Sequence, residues 1–373
     1  MKILQINKLY SPWIGGIETI VQQIAEGLNK KNNLDIEVLC CQPKGKRKIE
    51  EINNVKIWRA ASFGIFFSMP LSMDFLKLFK ILIKKADLID LHHPFPLADL
   101  AIFLFRPKVN LIVHYHSDIV KQKFLAFLLK FFILHSLKKA KKIIVSNPNL
   151  IKSSILLKQF KEKCVVIPFG VDLNKFEITP EKEKKIQEIK NKYGKFILFV
   201  GRLTYYKGVE YLIKAMKDVN VTLVIIGQGP LKKNYKLRIR NYELEKKIFI
   251  LPKQNEKDLI NFFHACELFV LPSVFKTEAF GLVLIEAMAC GKPIISTELG
   301  TGTSWVNQNK ETGFVVQPKN SQELSLAIQK IINNKKLSQE IGKNAYEKAI
   351  AVFNLNRMLV STKNLYSAIF QYL

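Results

Sequence analysis

Two glutamates eight residues apart, Glu278 and Glu286, bracket a strand-to-helix corner that runs EAFGLVLIEAMACGKP over residues 278–293. The corner follows an apolar run at 268–271 and closes on Gly291 and Pro293, the punctuation that stops a helix. A helix starting in such a loop presents unpaired backbone N–H groups and the positive end of its dipole, which suits phosphate. Glu278 falls in the loop and Glu286 about one and a half turns into the helix. A carboxylate at each end of a phosphate site fits a ligand with hydroxyls on both sides of a diphosphate, a nucleotide sugar.

A second constellation reads GRLTYYKG at residues 201–208, directly after an apolar run. Arg202 and Lys207 flank a glycine loop there, a geometry able to clamp a diphosphate. Gly15-Gly16-Ile17-Glu18 sits at the first strand-to-helix turn and matches neither a P-loop nor a GxGxxG fingerprint. Its place in the chain makes Gly16 a candidate for a backbone contact to phosphate. His114 and His116 end a buried strand in the run HYHSD, where alternation aims one toward a ligand and the other away. His114 is expected in the core and His116 at the substrate. His92 and His93 could join these two at a metal, but no carboxylate stands in metal-ligand spacing beside them, so that pair is read as structural and no metal site is expected.

The elements that must hold these residues alternate apolar strand-like runs with helical spacing. Strands are expected at 2–6, 35–41, 55–58, 88–91, 109–115, 142–146 and 164–168, with a helix over 17–28 after the first glycine loop. The alternation restarts with strands at 195–200, 221–226, 247–251, 268–271, 293–296 and 313–316. The fold class is therefore α/β, with two Rossmann-like, doubly wound parallel-sheet domains facing across a cleft. The domains are drawn at 1–178 and 195–353, joined by a lysine-rich linker at 179–194. A terminal helix at 355–373 is assigned to the first domain.

The chain carries 58 Lys+Arg against 31 Asp+Glu, a formal charge of +27, which calls for an anionic partner. Two basic apolar stretches lie in the first half, at 75–85 and 121–142. The second holds no acid and interleaves lysines, among them Lys138, Lys139, Lys141 and Lys142, with apolar residues from Phe124 to Leu134, the description of a helix in an anionic membrane interface. No run of 18 apolar residues occurs, so a spanning helix is not expected, and the N-terminus lacks the apolar core of a signal peptide. Five cysteines without a CxxC pair read as reduced thiols of a cytoplasmic protein.

Taken together, Gly15-Gly16, His116, the run PFGVD at 168–172, Gly201-Arg202, Lys207-Gly208, and Glu278 with Glu286 resemble the retaining glycosyltransferases of the GT-B fold, family 4. The resemblance spans nearly the whole chain. Residues 114–122 and 298–304 look most like bacterial enzymes that add mannose or rhamnose to lipopolysaccharide O-chains. It implies that Arg202 and Lys207 bind the donor diphosphate, with a backbone contact from Gly16. It also implies that Glu286 holds the ribose hydroxyls, that Glu278 with the amides of Phe280 and Gly281 holds the hexose, and that His116 lies near the anomeric carbon. The absence of a DxD motif agrees with a site that needs no metal or other cofactor. The expected partners are a nucleoside-diphosphate sugar, with GDP-mannose favoured and a UDP-sugar the alternative, a lipid-linked glycan acceptor, and the anionic inner face of the cell membrane. A basic nucleic-acid-binding protein is the competing class, and the chain holds no recognisable module for it.

Overall fold

The computed structural model describes residues 1–13, 15–29, 33–66, 69–118 and 123–371. The chain divides into two compact units, Met1–Pro168 with Arg357–Leu373, and Phe169–Asn356.

The first unit opens with β1 (Lys2–Ile6), α1 (Gly16–Leu28), β2 (Asp35–Cys41), β3 (Lys48–Ile52) and β4 (Val55–Ala60). A short hairpin, β5 (Ile65–Phe66) and β6 (Met69–Pro70), leads into α2 (Met73–Leu82). Then β7 (Leu88–His93), α3 (Pro96–Phe105), β8 (Asn110–Tyr115), α4 (Lys123–Lys139), β9 (Lys142–Val145), α5 (Pro148–Ser153) and β10 (Cys164–Val166) complete the alternation. The main sheet has the order β10-β9-β8-β7-β1-β2-β4-β3. Every pairing is parallel except β3 against β4 at the edge. Its inner strands are buried on both faces, so they are rich in Ile, Val and Leu. The exposed, charged edge strand β3 (KIEEI) and the hairpin lack that signature and were not expected from it.

The second unit begins with α6 (Pro180–Tyr193), β11 (Phe196–Val200), α7 (Val209–Ala215), β12 (Thr222–Ile226), α8 (Lys232–Asn241) and β13 (Ile248–Leu251). It continues through α9 (Glu256–Ala265), β14 (Leu268–Leu271), α10 (Leu282–Ala289), β15 (Ile294–Thr297), α11 (Gly302–Val306) and β16 (Gly313–Val316). Helices α12 (Ser321–Ile332) and α13 (Lys335–Val352) follow, and α14 (Leu355–Gln371) ends the chain. The strand order is β13-β12-β11-β14-β15-β16, all parallel. Counted from the first strand of the unit this is 3-2-1-4-5-6, the doubly wound order whose switch point lies between β11 and β14.

The linker expected at 179–194 is instead the helix α6. Thr179 caps it by accepting from the Lys182 amide at 3.4 Å, Pro180 occupies the first turn, and Gly194 ends it at φ 63°. Its buried residues, Ile186 and Tyr193, dock it on the second unit, where the Tyr193 ring meets Phe249 at 5.4 Å and Phe262 at 6.2 Å. The first unit also ends earlier than residue 178. Phe169 packs on Phe280 at 4.8 Å and Val171 bridges to Asn354, which ties 169–178 to the second unit. From Arg357 onward the chain returns to the first unit, where Leu359 lies so close to α1 that a Cβ on Gly27 would stand 2.5 Å from its Cδ1.

Candidate functional site

In the second unit the loops that leave β11 and β14 meet at the switch point, where a doubly wound sheet binds its ligand. The β11 loop turns at Gly208, φ 63°, which sits so tightly against the β14 loop that a Cβ there would lie 2.1 Å from the Pro272 carbonyl oxygen. The Val274 amide donates to the Tyr206 carbonyl at 2.8 Å, locking the two loops together. Across this seam Lys207 Nζ reaches Glu278 Oε2 at 2.5 Å, both side chains about 10% exposed. The lysine stem folds back over Gly201, with Nζ 3.6 Å from where a Cβ would stand. Ser273 Oγ donates to the same Glu278 oxygen at 2.9 Å.

Glu278 is fixed from the other side as well. Thr301 Oγ1 donates to its carbonyl at 2.8 Å, and the Gly302 amide donates to the Ala279 carbonyl at 2.8 Å. The chain then enters α10 through Gly281 at φ 78°. Among the described residues the amides of Phe280 and Gly281 have no acceptor, the ordinary condition of a helix start and the source of its affinity for anions. The Phe280 ring is core, 5% exposed, so this residue offers the site its backbone alone. Glu286, one turn further along, is partly buried, and burial with Glu256 nearby pushes its carboxyl up to about 7 against the pull of Lys175.

Arg202 is not drawn into the pair. Its side chain is exposed without a counter-charge among the described residues, beside the Leu203 amide, which donates to the Gln228 carbonyl at 2.8 Å. The loop Gly227-Gln228-Gly229 was missed in the sequence, yet it lies so close that a Cβ on Gly227 would stand 2.0 Å from the Gly201 carbonyl oxygen. The spacing of two glycines just after β12 was the available signal.

In the first unit, β7 and β8 run side by side with His92 opposite His114. Alternation sets Asp90 and His92 on one face of β7, and His114 and His116 on the same face of β8. His92 Nδ1 and His116 Nε2 share a hydrogen bond of 2.9 Å, and His92 Nε2 shares another of 2.9 Å with Gln5 Nε2. Asp90 lies 3.6 Å from both His92 Nε2 and His114 Nε2, and Tyr366 of α14 donates to its Oδ2. A carboxylate therefore does stand among the histidines, contrary to the sequence expectation. It was missed because the strand was drawn as ending at 91, short of His92, so alternation did not bring Asp90 and His92 onto one face. His92, His114 and His116 each place one ring nitrogen within 4.8 Å of the others, a spacing open to a metal ion. Both nitrogens of His92 are already engaged within the protein, and an ion there would have to break the His92–His116 bond.

Burial resists ionisation of Asp90, but His114, His92 and the Tyr366 hydroxyl hold it below the usual carboxylate range. Burial lowers His114 to about 4 although Asp90 opposes this. His116, 5% exposed, is pushed well below its ordinary value by burial and by the neighbouring histidines and Lys8. His114 and His116 are thus neutral imidazoles at pH 7, able to accept or donate a hydrogen bond without carrying charge.

Gly16 is the first residue of α1. Glu18 folds back toward that helix end, 2.2 Å from where a Cβ on Gly15 would be, so the glycine makes room for it. Its carboxylate is buried with Oε1 unpartnered, a residue that the sequence showed only as part of the GGIE run. Of the basic lysines expected at a membrane, Lys138 and Lys141 are exposed while Lys139 and Lys142 are half-buried. Residue 121 and the side chains of 123–128 lie outside the described residues. Among the described residues no helix is long and apolar enough to cross a membrane.

Two family models cover the chain: "Glycosyltransferase Family 4" over residues 14–175 and "Glycosyl transferases group 1" over residues 180–348. The chain is 33% identical over 373 residues to O-antigen chain mannosyltransferase C of Escherichia coli, covering 100% of this chain and 99% of that one. It is 30% identical over 347 residues to D-rhamnosyltransferase WbpZ of Pseudomonas aeruginosa, covering 92% and 90%. In fold it is similar to sucrose-phosphate synthase from Thermosynechococcus elongatus, with a TM-score of 0.84 at 22% identity over the whole of both chains. HepE of Anabaena, solved in complex with UDP-glucose, gives a TM-score of 0.78 at 20% identity over 99% and 100%.

Proposed function

The chain belongs to the group 1, family 4 glycosyltransferases and has their GT-B fold, and we propose that it transfers mannose from GDP-mannose, with retention, to a lipid-linked O-chain glycan. The Lys207–Glu278 contact at the open start of α10 carries this reading. Cleaving a sugar–phosphate bond builds positive charge on the sugar and negative charge on the departing diphosphate. A buried lysine, an exposed arginine and free helix-start amides are fixed in place for the second charge, and fixed donors stabilise a leaving anion without reorganising.

In this reading Lys207 and Arg202 hold the diphosphate, with a backbone contact from Gly16. The diphosphate takes over Lys207 from Glu278, which is thereby released to accept from hexose hydroxyls beside the amides of Phe280 and Gly281. Glu286 accepts from the ribose hydroxyls and His116 contacts the reacting sugar. A donor phosphate oxygen assists deprotonation of the acceptor on the face the leaving group departs from, and no metal or other cofactor takes part. The resemblance to the E. coli O-antigen chain mannosyltransferase supports the choice of mannose and of an O-chain acceptor. The excess positive charge and the exposed Lys138 and Lys141, with Lys139 and Lys142 beside them, support work at the anionic inner face of the cell membrane.

A thermal-shift screen against GDP-mannose and UDP-, ADP- and dTDP-sugars tests the donor, because a ligand that binds only the native state raises its melting temperature by mass action. Stabilisation by GDP-mannose alone is expected. Stabilisation by a UDP-sugar instead, with GDP-mannose inert, overturns the donor assignment.

A further inference from the structure

The hairpin of β5 and β6 forms a small sheet of its own, outside the main sheet of the first unit. Around it the chain exposes large apolar side chains in close succession: Phe63 at 71%, Phe66 at 55%, Leu71 at 53% and Met73 at 65%, with Ile65 at 37%. Exposed apolar residues scattered singly are ordinary, but a contiguous group of this kind marks a surface that meets something.

The two ends of this stretch are hydrogen-bonded to one another and to α2. The Phe63 amide donates to Leu71 O and the Leu71 amide to Gly64 O, both at 3.0 Å. Ser72 Oγ donates to the Ala61 carbonyl at 2.5 Å and caps α2 by accepting from the Phe75 amide at 2.9 Å. The same framework carries a basic strip alongside. Gly45 and Ser62 exchange two backbone hydrogen bonds of 2.9 Å, laying the run KGKRK of 44–48 next to the start of the hairpin. Arg47 is spent on Asp74 and Lys48 on Glu50, whereas Lys44 and Lys46 are exposed with no acidic partner among the described residues.

From this juxtaposition of exposed aromatic and aliphatic side chains with unneutralised lysines, we propose that Phe63, Ile65, Phe66, Leu71 and Met73, flanked by Lys44 and Lys46, form a docking surface for an anionic lipid bilayer. The apolar side chains enter the level of the headgroups and the lysines meet their phosphates, the division of labour of interfacial anchors. A protein partner of matching apolar character would leave the two lysines unexplained, whereas an anionic bilayer engages both halves of the surface. The proposal rests on the reading that this enzyme works at a membrane. It differs in which residues make the contact: Lys44, Lys46 and the exposed apolar side chains, instead of the lysines of 138–142.

The test is co-sedimentation of the full chain with vesicles of phosphatidylglycerol in phosphatidylcholine, and with phosphatidylcholine alone. Phe63→Ser with Phe66→Ser is expected to lower the partition coefficient at least tenfold on the anionic vesicles. Lys44→Gln with Lys46→Gln is expected to lower it about twenty-five-fold at low salt, roughly fivefold per lysine, and to leave binding to phosphatidylcholine unchanged. Phe66→Trp adds an emission that shifts to the blue and is quenched by brominated acyl chains in the same vesicles. Since every altered side chain is exposed, unchanged melting temperatures are expected. The melting shift produced by GDP-mannose is expected to persist in each variant, so failure of that shift in the parent speaks against the donor assignment and not against the hairpin. Partitioning within twofold of the parent in both double variants overturns the proposal. So does a parent that ignores anionic vesicles, or conversion of a dimer to a monomer by the Phe63→Ser, Phe66→Ser variant with vesicle binding intact, which would make a second copy the occupant.

Discussion

Breaking the Lys207–Glu278 contact tests the site on two independent scales, stability and donor binding. Lys207→Met keeps most of the stem and removes the charge. The carboxylate of Glu278 is then left about 10% exposed with Ser273 as its remaining donor. Removing one partner of a buried ion pair costs about 3–5 kcal/mol, because the survivor is an uncompensated charge. The second unit spans 169–356, a size at which 1 kcal/mol moves a melting temperature by roughly 2–4 °C, so a fall of about 10 °C is expected. Glu278→Leu is expected to cost a similar amount by stranding the ammonium of Lys207. The double variant Lys207→Met, Glu278→Leu replaces the pair by apolar volume, and such replacements are often neutral. Calorimetric unfolding of the four proteins closes a cycle whose coupling energy should be about 3 kcal/mol or more. Titration with GDP-mannose then separates stability from function: the double variant should melt near the parent and yet gain nothing from the donor. Single variants that each cost under about 1 kcal/mol and add without coupling would refute the pair as a buried contact. A double variant still stabilised by the donor would refute the diphosphate role of Lys207.

Gly208→Ala forces a Cβ to within 2.1 Å of the Pro272 oxygen at φ 63°, and should destabilise the second unit by about 2 kcal/mol or more in urea unfolding. Tyr366→Phe removes the hydroxyl donor of the buried Asp90 and should cost about 1.5–3 kcal/mol, read as a lower urea midpoint at unchanged slope. The contributions of His114 and Glu286 to stability should respond to mild acid in opposite directions. His114, lowered to about 4 by burial, takes up its proton more readily when unfolded, so the first unit loses stability as pH falls from about 6.5 toward 4. Glu286, raised to about 7 by burial, holds its proton more tightly when folded, so its contribution favours the second unit at pH 4.5 and is lost as pH rises through 7. Single-tryptophan variants keeping Trp58 or Trp305 report the units separately, and Glu286→Gln should flatten the second response.

Most of the strand ladder was legible because parallel strands covered on both faces must be apolar throughout. FILFV of β11 and LFVL of β14 announce themselves in that way. What the sequence concealed was exposed or charged structure. Strand β3 shows solvent most of its side chains and has no alternation to betray it. Helix α6 buries two residues of fourteen, so its lysine-rich composition imitates a linker. The Thr179-Pro180 start was the sign that it is a helix. The hairpin drew no assignment because its apolar side chains face outward, where a core-seeking reading does not look for them.

The site residues fall into the same two classes. Glu278, Phe280, Gly281 and Glu286 are neighbours along one corner, so their proximity follows from local geometry. Lys207 and Glu278 are not, and no periodicity in either segment indicates that a lysine after one strand will meet an acid after another. Their meeting is a consequence of sheet order. A doubly wound sheet grows from β11 outward in one direction and then restarts beside β11 with β14, so the loops leaving those two strands are placed together and not filled by an intervening helix. The histidine relay has the same origin: β7 and β8 are consecutive neighbours, and alternation then puts Asp90, His92, His114 and His116 on one face. Residue type and motif spacing therefore singled out the candidate residues within each unit, while the pairing of strands decided which charge answers which. It follows that substitutions in the buried strands that shift β14 against β11 should weaken the Lys207–Glu278 coupling without touching either residue, since strand pairing brings the two loops together before the Val274–Tyr206 bond can lock them.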